Sequence, residues 1–108
     1  MTIGDSLNQL IEDIAAKKDA DPKASYSASL IKAGPKKCGK KLGEEAVEFA
    51  MALVGDDESE ITNEAADLLY HFAACLVAKN IDPQKIANVL SARRGIGGHF
   101  EKASRKND

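Results

Sequence analysis

The 108-residue sequence lacks the features of several large protein classes. Cys38 and Cys75 do not have metal-ligand spacing and make at best a weak disulfide framework, so both are interpreted as reduced thiols of a cytoplasmic protein. The net charge of −2 provides no general basic field for nucleic acid. No apolar run approaches the roughly 20 residues of a membrane span. The segment MTIGDSLNQL has no basic region before an apolar run, so we expect no signal peptide.

The sequence also lacks any segment that alternates apolar and polar residues as a β-strand does, and alanines outnumber β-branched residues. It therefore predicts an all-α protein, a bundle of four to five helices in a single domain covering 1–108. The predicted helices are about 3–18, 25–33, 40–54, 58–79 and 83–93 or 94. Gly39 makes the helicity of the segment that begins at Pro35 uncertain. The tail, 95–108, is expected to be mobile or ordered only against a partner.

Two predicted helices carry acidic faces. At about 100° per residue, Glu44, Glu45 and Glu48 share one face of the third helix. The opposite face is predicted to enter the core with Leu42, Ala46, Phe49, Ala50, Leu53 and Val54. Glu64, Asp67 and His71 share a face about 60° wide on the fourth helix. The short connection predicts an antiparallel pair, so Glu45 and Glu48 are expected to face Glu64 and Asp67.

These acids can be interpreted in three ways: as a solvated helix face, as a buried pair of Asp67 with His71, or as ligands of a cation. The three glutamates of the third helix are also typical of a solvated face. Asp67 lies in a segment, 65–78, that is apolar nearly all round and is predicted to be buried, where it could pair with His71. Facing carboxylates repel one another unless a cation lies between them, and Mg²⁺ prefers carboxylate oxygens. The pattern therefore favours a Mg²⁺ site, and a Mg²⁺ ion open to water suits phosphate chemistry.

Positive charge is concentrated just before the acidic face. Five lysines fall within ten residues: Lys32, Lys36, Lys37, Lys40 and Lys41. They could neutralise a polyphosphate, or they form a surface patch that promotes solubility. Gly43 is interpreted as a site of close helix packing. Tyr70 could stack on a base or simply pack in the core. No Ser-His-Asp order, zinc-ligand spacing or basic-aromatic interleaving is present.

The segments GKKLGEEAVEF and NEAADLLYHF resemble the phosphoribosyl-ATP pyrophosphohydrolase family, within the all-α MazG-type nucleotide pyrophosphohydrolases. The superfamily motif is Glu-Glu-x-x-Glu, a spacer, then Glu-x-x-Asp. Here it begins at Glu44 and ends at Asp67. SYSASLIKAG at 25–34 and EKASRK at 101–106 extend the resemblance over most of the chain from Ser25 onward. Departures are Pro35, Cys38 and Gly39, which could shorten the helix before the glutamates, and Gly97, His99 and Phe100 in the tail.

The resemblance implies Mg²⁺-dependent hydrolysis of phosphoribosyl-ATP to phosphoribosyl-AMP and pyrophosphate, the second step of histidine biosynthesis, by a homodimer. By motif position the Mg²⁺ ligands would be Glu45, Glu48, Glu64 and Asp67. Glu44 would be a further ligand or would position the attacking water, so that the catalytic set is Glu44, Glu45 and Glu48. His71 would support a metal-binding carboxylate by hydrogen bonding.

The same resemblance places substrate near Ser25, Tyr26, Lys32, Lys40 and Lys41. Ser25, Tyr26 and Lys32 are the candidates for reading the ribosyl phosphate, with Arg93 and Arg94 as contributors. The helix dipole is the preferred explanation for both arginines, which are predicted in the last turn of a helix. Two other functions stay open from the residues: a general nucleoside triphosphate pyrophosphohydrolase and a non-catalytic helical dimerisation module. Loss of a motif acid would have favoured the second, and none is lost.

Overall fold

A computed structural model describes residues 1–95 of the chain. This range contains α1 (Ile3–Lys17), α2 (Tyr26–Ala33), α3 (Pro35–Ala52), α4 (Glu58–Lys79) and α5 (Pro83–Arg93). No strand occurs within residues 1–95, so the all-α prediction is confirmed there. The tail expected to be mobile falls outside the described residues from 96 onward, together with EKASRK. Over the same described range, no helix has both the length and the apolar character that crossing a membrane requires.

The helix ends follow from local side-chain chemistry. Ser25 accepts a hydrogen bond from the Ala28 amide at 3.1 Å, which caps α2 as predicted. Asp82 caps α5 in the same way and is followed by proline at the first helical position. Asn80 ends α4 in the left-handed conformation, with φ 55°. Short polar residues therefore set most of the boundaries that the sequence predicted.

The junction between α2 and α3 corrects the expected start of the third helix. Gly34 has φ 99°, a conformation open mainly to glycine, and it turns the chain between the two helices. Helix α3 then runs without interruption from Pro35 through Gly39. A helical glycine costs only about 1 kcal/mol relative to alanine. Burial of Cys38, whose Sγ donates to the Leu30 carbonyl at 3.3 Å, helps to offset that cost.

The core lies where α1, α2 and α3 meet α4. Its buried members are Ile14, Leu30, Cys38, Ala73 and Ala74. The predicted apolar face of α1, with Leu7, Leu10 and Ile11, packs against this cluster. Both cysteines are free thiols, and burial raises the pKa of each. Cys38 and Cys75 therefore act as small packing residues, as the sequence indicated.

Helices α3 and α4 are antiparallel neighbours. Glu48 lies beside Glu64, and Glu45 lies beside Asp67 and His71. Lower-numbered residues of α3 therefore lie beside higher-numbered residues of α4, as in any antiparallel helix pair. The connection between the helices spans only residues 53–57. The hairpin predicted from this short connection is thus the element that brings the two acidic faces together.

Part of the third-helix face that was expected in the core is instead exposed in the single chain, whereas Leu42 and Phe49 of that face do lie inward. The inward face carries Cys38, Leu42, Glu45 and Phe49, an arc about 60° wide. Apolar and small residues occupy another arc that has no cover within the described chain: Gly39, Gly43, Ala46, Ala50, Leu53 and Val54. A Cβ added at Gly43 would meet no neighbouring atom within 4 Å, so the close packing predicted there is not found within residues 1–95.

Candidate functional site

Three of the predicted acids converge in the groove between α3 and α4. One carboxyl oxygen from each of Glu45, Glu48 and Glu64 lies within 4.8 Å of the others. Glu45 and Glu64 are half-buried, whereas Glu48 is exposed. Glu45 and Glu48 are one helical turn apart, so the two helices deliver all three groups with no contribution from a loop. The cluster is therefore held on rigid elements and open to solvent on the Glu48 side.

The electrostatics of this cluster are unfavourable to three negative charges. Burial raises the pKa of Glu45, the adjacent Glu48 carboxyl raises it further, and His71 partly opposes the rise. Burial also raises the pKa of Glu64, and the charges of Glu48 and Asp67 add to this effect. Such shifts are typical of carboxylates brought together without a compensating cation. The protein alone thus leaves the site short of positive charge.

Two oxygens in the cluster have no partner in the described chain. Glu45 Oε2 and Glu64 Oε2 are both buried and accept no hydrogen bond. A buried acceptor left without a partner is costly, and natural structures rarely keep one without a reason. Three carboxylates with one open side match the donor set of a hard divalent cation that retains water. Glu45, Glu48 and Glu64 therefore fit a divalent metal.

Asp67 differs from its predicted environment. Its side chain is exposed, although the apolar sequence around it predicted burial. It lies outside the three-acid group and still acts on the charges of Glu45 and Glu64. The alternative interpretation, a pair between its carboxylate and His71, is not found in the described part of the chain, where His71 Nδ1 donates to the Asp67 main-chain carbonyl at 3.0 Å. Asp67 is exposed because the neighbouring helices cover only part of the surface of α4 at this position.

Glu44 has a separate position beside the cluster. Its carboxylate pairs with the Lys41 ammonium at 3.4 Å, one turn earlier on α3. Both side chains are substantially exposed, so this pair contributes little to stability. Its effect is local, because it holds an anionic and a cationic group at the edge of the acidic face.

His71 links the acidic groove to α2. It is 8% exposed. Its Nδ1 must carry the proton that is donated to the Asp67 carbonyl, so in the neutral ring Nε2 accepts from the Tyr26 hydroxyl at 3.3 Å. The charge of His71 acts on Glu45. Within the described residues no hydrogen bond joins the imidazole to a carboxylate, so the supporting role of His71 stays a prediction.

The predicted substrate lysines occupy different surfaces. Lys40 lines an exposed groove with Lys36, Lys37 and Ala33, on the helix that carries Glu45 and Glu48. Lys32 instead lines a cavity with Lys18 and Asp19, and none of the three clustered acids is among the described residues of that lining. Arg93 and Arg94 lie at the end of α5, as their dipole interpretation requires.

Ser25 and Tyr26 lie together, beside a cation that sequence reasoning missed. They line a cavity of about 510 Å³ with Ser27, Tyr70 and Lys17. The Tyr26 and Tyr70 rings are stacked, with centroids 6.1 Å apart and an interplanar angle of 21°. Lys17 ends α1 and reaches this cavity because the short break at 18–25 folds α2 back beside it. In the sequence, the polar break at 18–25 indicates that the chain turns between the first two helices. It does not indicate which lysine lines the cavity.

The chain is similar throughout to phosphoribosyl-ATP pyrophosphatases. The family model described as phosphoribosyl-ATP pyrophosphohydrolase matches residues 7–94. The phosphoribosyl-ATP pyrophosphatase of Paracoccus denitrificans is 46% identical over 100 residues, 93% of this chain and 93% of that protein. The enzyme of that name from Azorhizobium caulinodans is 46% identical over 101 residues, 94% of this chain and 93% of the relative. That of Parvibaculum lavamentivorans is 46% identical over 99 residues, 92% of this chain and 91% of the relative.

Proposed function

Because the chain belongs to the phosphoribosyl-ATP pyrophosphohydrolase family, we propose that it hydrolyses phosphoribosyl-ATP to phosphoribosyl-AMP and pyrophosphate in histidine biosynthesis. The observation that carries the proposal within the molecule is the convergence of Glu45, Glu48 and Glu64 around two buried carboxyl oxygens that lack a partner. A non-catalytic helical module would have no use for this electrostatically unfavourable arrangement. A hydrolase that binds a cation and polyphosphate there has a direct use for it.

The metal is proposed to be Mg²⁺, held by Glu45, Glu48 and Glu64, with Asp67 completing the set. All-carboxylate donors with an open, water-facing side suit Mg²⁺, which is usually bound through protein carboxylates and substrate phosphates together. When bound, Mg²⁺ would neutralise charge on the phosphates of the substrate. His71 steadies the environment of Glu45 through its own hydrogen bonds to α4 and Tyr26.

The remaining steps are assigned to side chains of the chain itself. Hydrolysis joins the oxygen of water to one phosphorus of the anhydride and breaks the bridging bond, so the water must give up a proton. Glu44, like Asp67, is a motif carboxylate outside the three-acid cluster, and we assign Glu44 the role of orienting that water and accepting its proton. Lys40 and Lys41 lie within two turns before the acids on α3 and offset the charge of the departing pyrophosphate.

One assay tests the reaction. Purified chain is incubated with Mg²⁺ and phosphoribosyl-ATP, ATP or dCTP, and pyrophosphate release is measured for each. The proposal requires clear preference for phosphoribosyl-ATP. Equal hydrolysis of the three substrates would instead identify a general nucleoside triphosphate pyrophosphohydrolase. Absence of pyrophosphate release from all three at saturating Mg²⁺ would refute both assignments.

The assembly is proposed to be a homodimer that covers the exposed arc of α3. Small residues recur there at helical spacing, from Gly39 through Gly43 and Ala46 to Ala50. Leu53 and Val54, which directly follow the end of α3, continue this apolar surface and are 55% and 83% exposed. Small residues allow two backbones to approach closely, and a continuous apolar surface on a soluble chain marks an interface. A second copy can cover this arc with its own equivalent arc around a twofold axis.

The proposed dimer is tested by replacing alanine with arginine at two positions, in separate variants. Ala50→Arg places a charge in the centre of the arc, whereas Ala16→Arg places it at an exposed position on α1. Light scattering after size exclusion should give a dimer mass for the wild type and Ala16→Arg, and a monomer mass for Ala50→Arg. A monomeric wild type at micromolar concentration would exclude the proposed dimer.

The compartment is proposed to be the cytoplasm. Cys38 and Cys75 are neighbours in the core and remain free thiols. Reduced cysteines are typical of the cytoplasm. Fractionation of cells producing the native chain tests this proposal, and recovery in a membrane or secreted fraction would exclude it.

A further inference from the structure

We infer that Lys17 binds the ribosyl phosphate of the substrate, so that the cavity lined by Lys17, Ser25, Tyr26, Ser27 and Tyr70 determines specificity for phosphoribosyl-ATP over ATP. This inference rests on the proposed function, because phosphoribosyl-ATP differs from ATP by a ribosyl phosphate on the adenine. The triphosphate is common to both nucleotides, so contacts at the acidic groove cannot separate them. Discrimination requires a second cationic site on the far side of the base.

The cavity has the lining that such a site requires. Its volume of about 510 Å³ is within the range of small-molecule pockets. Among its lining residues Lys17 is the charged one, and the hydroxyls of Ser25 and Ser27 and the two tyrosines complete the polar contribution. A phosphate entering it would therefore meet a cation and hydroxyl groups, and no carboxylate is among the lining residues within 1–95.

Tyr26 connects this cavity to the acidic groove. Its hydroxyl contacts His71, which lies beside Glu45, and its ring forms part of the cavity wall. Tyr26 remains 54% exposed although it stacks on Tyr70, so one face of the ring is available to an adenine. Tyr70 follows Glu64 by six residues on α4, a rise of about 9 Å. Triphosphate, base and ribosyl phosphate can thus follow one path from the acids past Tyr26 to Lys17.

Two other lysine-lined surfaces, that of Lys32 and that of Lys40, fit this role less well. The cavity that contains Lys32 and Lys18 also contains Asp19, whose negative charge opposes phosphate binding, and no aromatic side chain lines it. The groove of Lys36, Lys37 and Lys40 also has no aromatic lining and lies on α3, the helix of Glu45 and Glu48. It is better placed for the polyphosphate. The combination of a cation with aromatic walls is found at Lys17.

The first experiment measures binding, so it does not depend on turnover. Phosphoribosyl-AMP and AMP are titrated calorimetrically into the wild type, Lys17→Gln and Lys18→Gln. Lys18 is the matched control because it is the next residue and lines different cavities. The wild type should bind phosphoribosyl-AMP more tightly than AMP, and Lys17→Gln should reduce that preference by about tenfold, the effect of losing one charge-assisted hydrogen bond. Lys18→Gln should keep the preference, and Lys17→Arg should restore most of it.

The second experiment measures kcat/KM for phosphoribosyl-ATP and ATP with the same variants. Lys17→Gln should lower kcat/KM for phosphoribosyl-ATP mainly through KM and leave any ATP hydrolysis unchanged. Equal losses for both substrates, equal effects of Lys17→Gln and Lys18→Gln, or equal binding of phosphoribosyl-AMP and AMP by the wild type would each overturn the inference. A chain that fails to hydrolyse phosphoribosyl-ATP but binds phosphoribosyl-AMP through Lys17 would refute the proposed function alone.

Discussion

Glu48 on α3 and Glu64 on α4 present carboxyl oxygens within 4.8 Å of each other across the helical hairpin. The two residues stand on either side of the turn at 53–57, so the antiparallel pairing of the helices determines their proximity. With Glu45 they create a site whose negative charge is offset only in part by His71. The same repulsion that weakens the metal-free fold would favour binding of a cation.

Magnesium should therefore stabilise the chain. Any ligand that binds the folded state and not the unfolded state raises the melting temperature by mass action, here on the order of 10 °C at a hundred times the dissociation constant. Glu64→Gln should lose most of this shift. Glu12→Gln, the same change at an exposed position on α1, should keep it. Differential scanning fluorimetry across a Mg²⁺ titration measures the shift, and a wild type indifferent to saturating Mg²⁺ would exclude the site.

The metal-free chain should become more stable as the pH falls toward the ordinary carboxyl range. The pKa values of Glu45 and Glu64 are raised in the folded chain above their ordinary value of 4.5, so in the window above 4.5 the folded state binds more protons than the unfolded state. The stabilising contribution of these groups is therefore present at low pH and is lost as the pH rises through their folded pKa values.

Urea unfolding in EDTA across this pH window measures the effect. Comparing the urea midpoint of each variant with that of the wild type separates the effect of the three-acid cluster from the effect of the other carboxylates. Glu64→Gln should unfold at a higher urea concentration than the wild type at neutral pH, and this advantage should shrink as the pH falls. Glu12→Gln should follow the wild type throughout. An advantage of Glu64→Gln that does not change with pH would contradict the assigned cause.

Much of the fold was predictable because local chemistry dominates it. Ser25, Asn80 and Asp82 mark helix ends by capping, and these boundaries agree with the structure. The start of α3 was not predictable from local preference. Gly39 weakens a helix, and the stabilising burial of Cys38 depends on α2 and is therefore a tertiary effect.

The orientation of α3 could not be derived from the sequence alone. Helical periodicity fixes the relative positions of side chains around the axis and leaves open which arc meets the neighbouring helix. An apolar arc that contacts another chain has the same sequence periodicity as an arc that enters the core of its own chain. The periodicity therefore predicts that Ala46, Ala50, Leu53 and Val54 are core residues, although they are exposed in the single chain. Glu45 instead lies on the arc that faces α4. The positions of Lys17 and Lys32 likewise depend on how α1 and α2 pack, and no sequence motif indicates that packing.

Glu48→Gln and Asp67→Asn should separate metal binding from fold stability. Both side chains are exposed, and both substitutions nearly preserve shape, so the melting temperatures without Mg²⁺ should not fall. Glu48→Gln removes a charge from the three-acid cluster and should lower kcat by about a hundredfold or more. Asp67→Asn should lower it less, because Asp67 lies outside that cluster. Measuring turnover and melting temperature for both variants separates a role in metal binding from a role in stability. A large stability loss in Asp67→Asn would instead support its interpretation as a buried partner of His71.

Tyr26→Phe and Tyr70→Phe should have different consequences although each removes one hydroxyl. The Tyr26 hydroxyl contacts His71 at 3.3 Å, whereas the Tyr70 hydroxyl contacts Ser27 at 2.6 Å. Each loss should lower stability by about 0.5–1.5 kcal/mol, the usual net contribution of one hydrogen bond. Of these two hydroxyls, that of Tyr26 is the one hydrogen-bonded to His71, whose charge acts on Glu45, so Tyr26→Phe should also weaken Mg²⁺ affinity, by up to about tenfold. Titrating the Mg²⁺ dependence of turnover for both variants measures this. A larger change in Mg²⁺ affinity for Tyr70→Phe would mean that the connection from α2 to the acids does not run through Tyr26.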